Sequence, residues 1–393
     1  MDIAAVSTNS EGSQKKPQRG QSTSSRDKKH SLSIKEASKP LALPKDSIQL
    51  KSKNKSIALN CGIIIFLYLL AIGADFLCAW SPTEAPIKRI SYSPPTKFQF
   101  EWKHGIFFHP YFIQINQATF DRKFDLNKNK ICTVNLFAKG SEYNFFGIIK
   151  SNLHLIGSNN CKSDFHFLGT DKLGRDYFAR LIHGLRPRLF TGILGILISF
   201  PLGLIYGTVA GYLSDEIGEL MMRFIEIVLS LPTLYLLVVL AGILPAGLSG
   251  FQRLSFITVI ISFIGWAGLA RVLRGQVLSI NKREYVQAAV LIGAPNWKII
   301  LREIIPQLST YLIIAATLSF PSYILAETTL SFLGLGISQP DSSLGNILAE
   351  GRKLSNLFLY PWMALGPTFV IVLLTWACNS LGDSLRDAFD VKS

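Results

Sequence analysis

Charge is scarce in this chain. Asp, Glu, Lys and Arg make up 17% of its 393 residues, against 49% apolar residues. Soluble domains carry about a quarter charged residues, so an ordinary water-soluble fold is excluded. Other absences narrow the chemistry. There is no GxxxxGK[ST] cradle for nucleotide phosphates, and the Gly-rich stretches GLGIS and GTDKLG lack its Lys and the strand before it. Six His show no HExxH or other ligand spacing, and five Cys form no CxxC pair. No nucleophile elbow is present. Catalysis, a resident metal and a cofactor are therefore not expected on this chain. A cleavable leader is not expected either, because the first apolar run starts near residue 57 and is longer than a signal core of about 7–15 residues.

Long apolar runs are what the chain does have. They cover Ile57–Trp80, Leu189–Tyr212, Leu220–Leu244, Leu254–Leu278, Leu308–Leu330 and Trp362–Leu381. Runs of about 20 residues cross a hydrocarbon core of about 30 Å at about 1.5 Å per helical residue. The expected fold class is an all-α polytopic membrane protein with six transmembrane helices and an enlarged outer loop.

Net charge is +14. Much of it lies in residues 1–56, where twelve Lys and Arg face five Asp and Glu. This Ser-, Lys- and Pro-rich segment reads as a disordered tail. A basic segment ahead of a first span marks a cytoplasmic N-terminus, and six spans return the C-terminus to that side. A nucleic-acid-binding arm is the rival reading, but no reader module follows it. The loop bearing Lys282, Arg283, Lys298 and Arg302 is then cytoplasmic, as the charge rule requires. Lys172, Arg175, Arg180, Arg186 and Arg188 conflict with it, since they fall outside, at the end of a loop long enough to weaken the rule.

Four regions follow: the tail 1–56, the first span 57–80, an extracytoplasmic region 81–187 and a five-helix core 188–393. Within the third, Pro82–Asp164 holds aromatic and β-prone stretches (KFQFEWKHGIFF, ICTVNLFAKG) and reads as a small β-rich lobe. Cys132 and Cys161 lie there. They are either two free thiols or a bridge closing a loop of about 30 residues. Cys61, Cys78 and Cys378 fall in spans, as packing residues. Leu173, Tyr177, Phe178, Leu181, Ile182 and Leu185 then recur at helical spacing. This predicts an amphipathic helix on the membrane surface, with its Arg and Asp on the polar face.

The loop 283–306 is unusual. Val286, Ala289, Val290, Gly293, Trp297, Ile300, Leu301 and Ile304 make one helical stripe, interrupted at Gly293 and Pro295. Two short helices at an angle are expected, with small Ala288, Ala289 and Ala294 at the corner. The pattern alone fits a docking knob for a soluble partner or an amphipathic loop on the membrane.

This segment resembles the EAA loop of ABC-importer permease subunits: Glu-Ala-Ala, three residues, Gly, then a hydrophobic residue and Pro. Gln287, Ala288, Ala289, Gly293, Ile305 and Pro306 stand at that spacing, with Gln287 in place of Glu. FLGTDKLGRDYFARLIHGLRPRL (167–189), RFIEIVLSLPTLYLLVVL (223–240), ETTLSFLGLGISQPDSSLGNILAEGR (327–352) and PWMALGPTFVIVLLTWACNSLGDSLRDAFD (361–390) are similar to blocks of oligopeptide/dipeptide permease C-type subunits. The likeness runs from about Ile57 to the end. It implies a type I permease core in a bacterial inner membrane. A second homologous permease subunit would complete the path. Two cytoplasmic ATP-binding subunits would supply hydrolysis, and an extracytoplasmic peptide-binding protein would deliver peptide. Residues 287–306 would be the coupling helix, and Gln287→Glu is expected to be tolerated there. Nickel complexes or sugars are the alternative cargo. A secondary transporter would show inverted repeats, which are not evident, and a membrane-anchored sensor would not need the knob.

Acidic residues in spans face protein, cavity or interface. Asp75 lies near the outer end of the first span. Glu226 is expected to pair with Arg223 or Arg271. Glu327 is a candidate to line the translocation path, with an interhelical hydrogen bond as the rival. Pro201, Pro232 and Pro321 read as packing kinks or hinges.

Overall fold

The computed structural model describes residues 45–83, 90–102, 105–115, 122–145, 149–161, 165–213, 215–245 and 247–390. The predicted tail lies almost wholly outside them. The chain divides into a unit of Met1–Ser52, represented here only by the start of α1, and a unit of Lys53–Ser393.

Helix α1 (Lys45–Ile72) carries the first span over Lys55–Ile72. It ends at Gly73, short of the expected Trp80, and a single turn α2 (Ala74–Leu77) follows. Seven antiparallel strands come next: β1 (Phe98–Glu101), β2 (Gly105–Phe108), β3 (Tyr111–Ile115), β4 (Arg122–Leu126), β5 (Cys132–Thr133), β6 (Asn135–Phe145) and β7 (Ile149–Gly157). They form a three-stranded sheet in the order β1-β2-β5 and two hairpins, β3–β4 and β6–β7. The β-rich lobe is thus present. Cys132 and Cys161 are bridged, and the bridge packs with Phe108 and Phe165 in a small core.

Helix α3 (Tyr177–His183) passes through Gly184 into α4 (Leu185–Tyr212). This corrects the expected surface helix: the two form one apolar stretch, Tyr177–Tyr212, and the charged face of α3 turns inward. Helices α5 (Asp215–Ser230) and α6 (Thr233–Gly242) stand where the third span is expected, bent by 75° at Leu231–Pro232, a position read as a kink or hinge. Pro232 has no N–H and pushes its predecessor out of helical conformation, so the helix restarts there. Pro201 and Pro321 lie inside unbroken helices.

Helix α7 (Gly250–Ile280) opens on a Ser249/Gln252 capping box. Helices α8 (Glu284–Leu291) and α9 (Asn296–Ile299) form the loop corner. A π-turn over Ile300–Ile304 then leads straight into α10 (Ile305–Phe332). The second loop helix is therefore the foot of a span, Asn296–Phe332, and not a separate piece. Pro306 explains the widened turn, since its ring would clash with the carbonyl four residues back. Helices α11 (Leu344–Gly351) and α12 (Leu354–Leu359) fill the segment before α13 (Trp362–Asp390). Among the described residues, five helices are long and apolar enough to span, or six if the bent pair counts as one span.

Small residues set the central packing. Gly203, Gly207 and Gly211 recur every fourth residue on α4. A Cβ on them would come within 2.9 Å of Leu269, 2.7 Å of the Ala270 carbonyl and 2.8 Å of Val277, all on α7. Backbones meet this closely where small residues line one face, and dispersion contacts then hold the pair together.

Candidate functional site

The spacing Ala289-x3-Gly293 acquires a physical meaning at the end of α8. Gly293 has φ +78°, a left-handed conformation that residues with a Cβ resist. Its N–H donates to the Val290 carbonyl at 3.0 Å, and the Ala294 N–H to the Ala289 carbonyl at 3.2 Å. These are the two bonds of a Schellman cap. Ala289 and Ala294 pack together against the core on the inner side of the turn. Pro295 then caps α9.

The corner has two faces. Val286, Ile299, Ile304 and Leu308 are buried against Leu273, Val277 and Ile280 of α7. Leu291 and Ile292 are 86% and 85% exposed, and Val290, Trp297 and Leu301 join them on the open side. Ala288 and Pro306 are exposed, and Ile305 is half-buried at the foot of α10. A Cβ at Gly293 would meet no atom of this chain within 4 Å. The corner is thus rigidly backed and offers a compact apolar face.

Gln287 points the other way. Its Nε2 donates to the Asn281 carbonyl at 2.6 Å. Asn281 Nδ2 in turn donates to the Gly211 carbonyl at 3.0 Å, and the Tyr212 hydroxyl donates to Asn296 Oδ1 at 3.2 Å. The corner is so tied to the ends of both α4 and α7. A carboxylate at 287 could not donate, which changes the expectation that Glu would be tolerated there. Asn281, Tyr212 and Asn296 are the residues that sequence reasoning missed. Each lies at a helix end, and Asn281 meets an unpaired carbonyl there, but nothing in their spacing links them.

A second cluster lies at the opposite ends of α4 and α10. Asp171 accepts from the Leu173 and Arg175 N–H groups, both at 2.8 Å, and so shapes the GTDKLGRD turn. Its other oxygen takes Arg175 Nε and Arg180 Nη1, both at 2.6 Å. Arg180 also grips Glu350 at 2.9 and 3.2 Å, and Gln339 donates to the same carboxylate. Two guanidiniums face two carboxylates, so the buried cluster is neutral and burial is bearable. Nearby, Arg188 lies 3.2 Å from Glu327 and donates to Thr328 at 2.5 Å. The Ser331 hydroxyl donates to Glu327 at 2.6 Å. Glu327 is fully buried within the chain, held by Arg188 of α4 and by Ser331 one turn further along α10.

Asp75 receives Arg186 at 2.7 Å and lies 3.0 Å from His183 Nε2. Partial burial raises its pKa, but these two partners overcome that and hold it at about 2. Glu226 departs from expectation. It is exposed on α5 and makes no ion pair among the described residues, because Met222 and Ile225 on another face of the helix make the core contact.

Residues 192–392 match the family described as binding-protein-dependent transport system inner membrane component. An oligopeptide transport system permease protein of Haemophilus influenzae is 40% identical over 58% of this chain and 71% of its own length. A dipeptide transport system permease protein of Bacillus subtilis is 42% identical over 58% and 69%, and an oligopeptide permease protein of the same organism 34% identical over 62% and 77%.

Proposed function

Because the chain belongs to the family of inner membrane components of binding-protein-dependent transport systems, we propose that it forms half of the translocation path of an ATP-driven importer of oligopeptides or dipeptides. The peptide assignment rests on relatives named for both cargoes at 40% and 42% identity. A second homologous permease subunit completes the path. Two cytoplasmic ATP-binding subunits drive it, and an extracytoplasmic peptide-binding protein supplies it.

The observation that carries the coupling role is the apolar face of Leu291, Ile292 and Trp297 on a corner backed by α7 and α10. Residues 287–306 seat this face in a groove of an ATP-binding subunit. Burying such side chains gains about 1.5–3 kcal/mol each, and Gly293 leaves room for the partner. Glu327 supports the path from within as an ionic tie to Arg188. The path itself runs along a groove of about 730 Å³ between α7, α10 and α13, where Gln307, Thr310, Ser319 and Ser322 alternate with Leu269 and Ile314. Hydroxyls and an amide there meet peptide backbone, and Arg386 of α13 adds a cation to the lining.

Both termini lie in the cytoplasm. The basic tail and basic corner loop favour this. The arginines at the far end of α4 no longer oppose it: Arg175, Arg180 and Arg188 are buried in ion pairs and Arg186 is tied to Asp75. Uptake of a labelled tripeptide into membrane vesicles tests the reading. Uptake should require this chain and be competed by unlabelled peptides. Uptake of nickel complexes or sugars, with no competition by peptide, would overturn the cargo assignment.

A further inference from the structure

We infer that the lobe has its own contact with lipid: the corner of β6 at Leu136 and Phe137 sits in the membrane leaflet on the lobe's side. The open stripe of the first span leads to it. Ile65, Leu69 and Ile72 are 57%, 61% and 46% exposed at spacings of four and three. Four residues beyond Ile72, in α2, the ring centre of Phe76 lies 6.3 Å from that of Phe137. Leu136 and Phe137 are 69% and 57% exposed, and Ile156, paired with Leu136 across the hairpin, is exposed beside them.

Three further features fit lipid. Phe137 adopts φ 56°, a conformation bulky residues avoid, and holds its ring outward. The hairpin root cannot lift away: the Ser141 N–H donates to the Ala79 carbonyl at 3.2 Å, and Gly140 lies so close to that carbonyl that a Cβ would approach within 2.3 Å. Exposed Lys139 stands next to the corner, where a cation meets lipid headgroups. A basic side chain beside exposed apolar ones is a usual arrangement at a membrane surface. The lobe is in this way held against the bilayer at a point separate from the spans.

The test uses the full chain in phospholipid vesicles, with Cys61, Cys78 and Cys378 replaced by Ser. Nitroxide labels are placed at Leu136→Cys and Ile156→Cys, and for comparison at Asn129→Cys on the exposed turn between β4 and β5. Collisions with oxygen should exceed those with a water-soluble nickel chelate at 136 and 156, with the reverse at 129. Nickel access at 136 and 156 equal to that at 129 would overturn the inference. So would shielding of both sites from oxygen and nickel alike, which would mean that protein covers the corner.

Discussion

An amide at position 287 can do what a carboxylate cannot. Gln287 donates to the Asn281 carbonyl at 2.6 Å, where a Glu would set two acceptors face to face. The bond is exposed, so its loss costs about 0.5–1.5 kcal/mol. Gln287→Glu is predicted to leave membrane insertion unchanged but to raise the ATP hydrolysed per peptide taken up, as the corner loosens from α7. Measuring both rates in vesicles checks this. Arg180 carries a larger penalty. Its guanidinium serves Asp171 and Glu350 together and is fully buried. Arg180→Met leaves Arg175 as the one guanidinium facing two buried carboxylates, and breaking a buried pair costs about 3–5 kcal/mol. The purified protein should lose thermal stability accordingly in detergent, while Lys172→Met on the exposed side of the same turn should shift it by less than about 0.5 kcal/mol.

At the level of elements, the α4–α7 seam depends on close approach. Gly207→Val would drive a branched side chain into the Ala270 carbonyl, 2.7 Å from the first added carbon. The helices must part, and the folded yield in membranes is predicted to fall sharply, whereas Gly268→Ala, with open space around it, should be tolerated. The lobe depends on its bridge. Cys132 and Cys161 are 29 residues apart, so the bridge contributes about 3 kcal/mol by restricting the unfolded chain. Cys132→Ser should open the lobe to protease without dislodging the spans. Burial also pushes the Cys78 thiol well up, so alkylation of the native protein should spare it.

Much of the molecule was legible in its sequence. Six apolar runs, the β-prone lobe and the Ala-Ala-x3-Gly corner all express local physics: hydrophobic length, alternation and the need for a left-handed residue at a helix end. What was not legible depends on partners far along the chain. Arg175 and Arg180 fall on the polar side of a helical pattern, which reads as a face toward water. Their counter-ion Glu350 stands 170 residues from Arg180, and no periodicity reveals it. Pro232 breaks its helix while Pro201 and Pro321 do not, because that outcome depends on neighbours able to satisfy the freed carbonyls. In the sequence Gln287 reads as a neutral stand-in for Glu, and only its acceptor, a backbone carbonyl that no motif signals, gives the amide a role.

At the scale of the whole molecule, the proposed coupling role requires that force applied at α8–α9 reach the spans. The corner is backed by α7, tied to α4 through Asn281 and Tyr212, and continuous with α10 through the π-turn. The most direct test is purification of the transporter from membranes holding equal amounts of wild-type chain or a Leu291→Asp/Ile292→Asp double variant. Both positions are more than four-fifths exposed, so the chain itself should fold normally. The ATP-binding subunit should co-purify with wild type and be lost from the double variant, with peptide uptake lost in parallel. Full retention of that subunit and of uptake by the double variant would contradict a coupling role for this face.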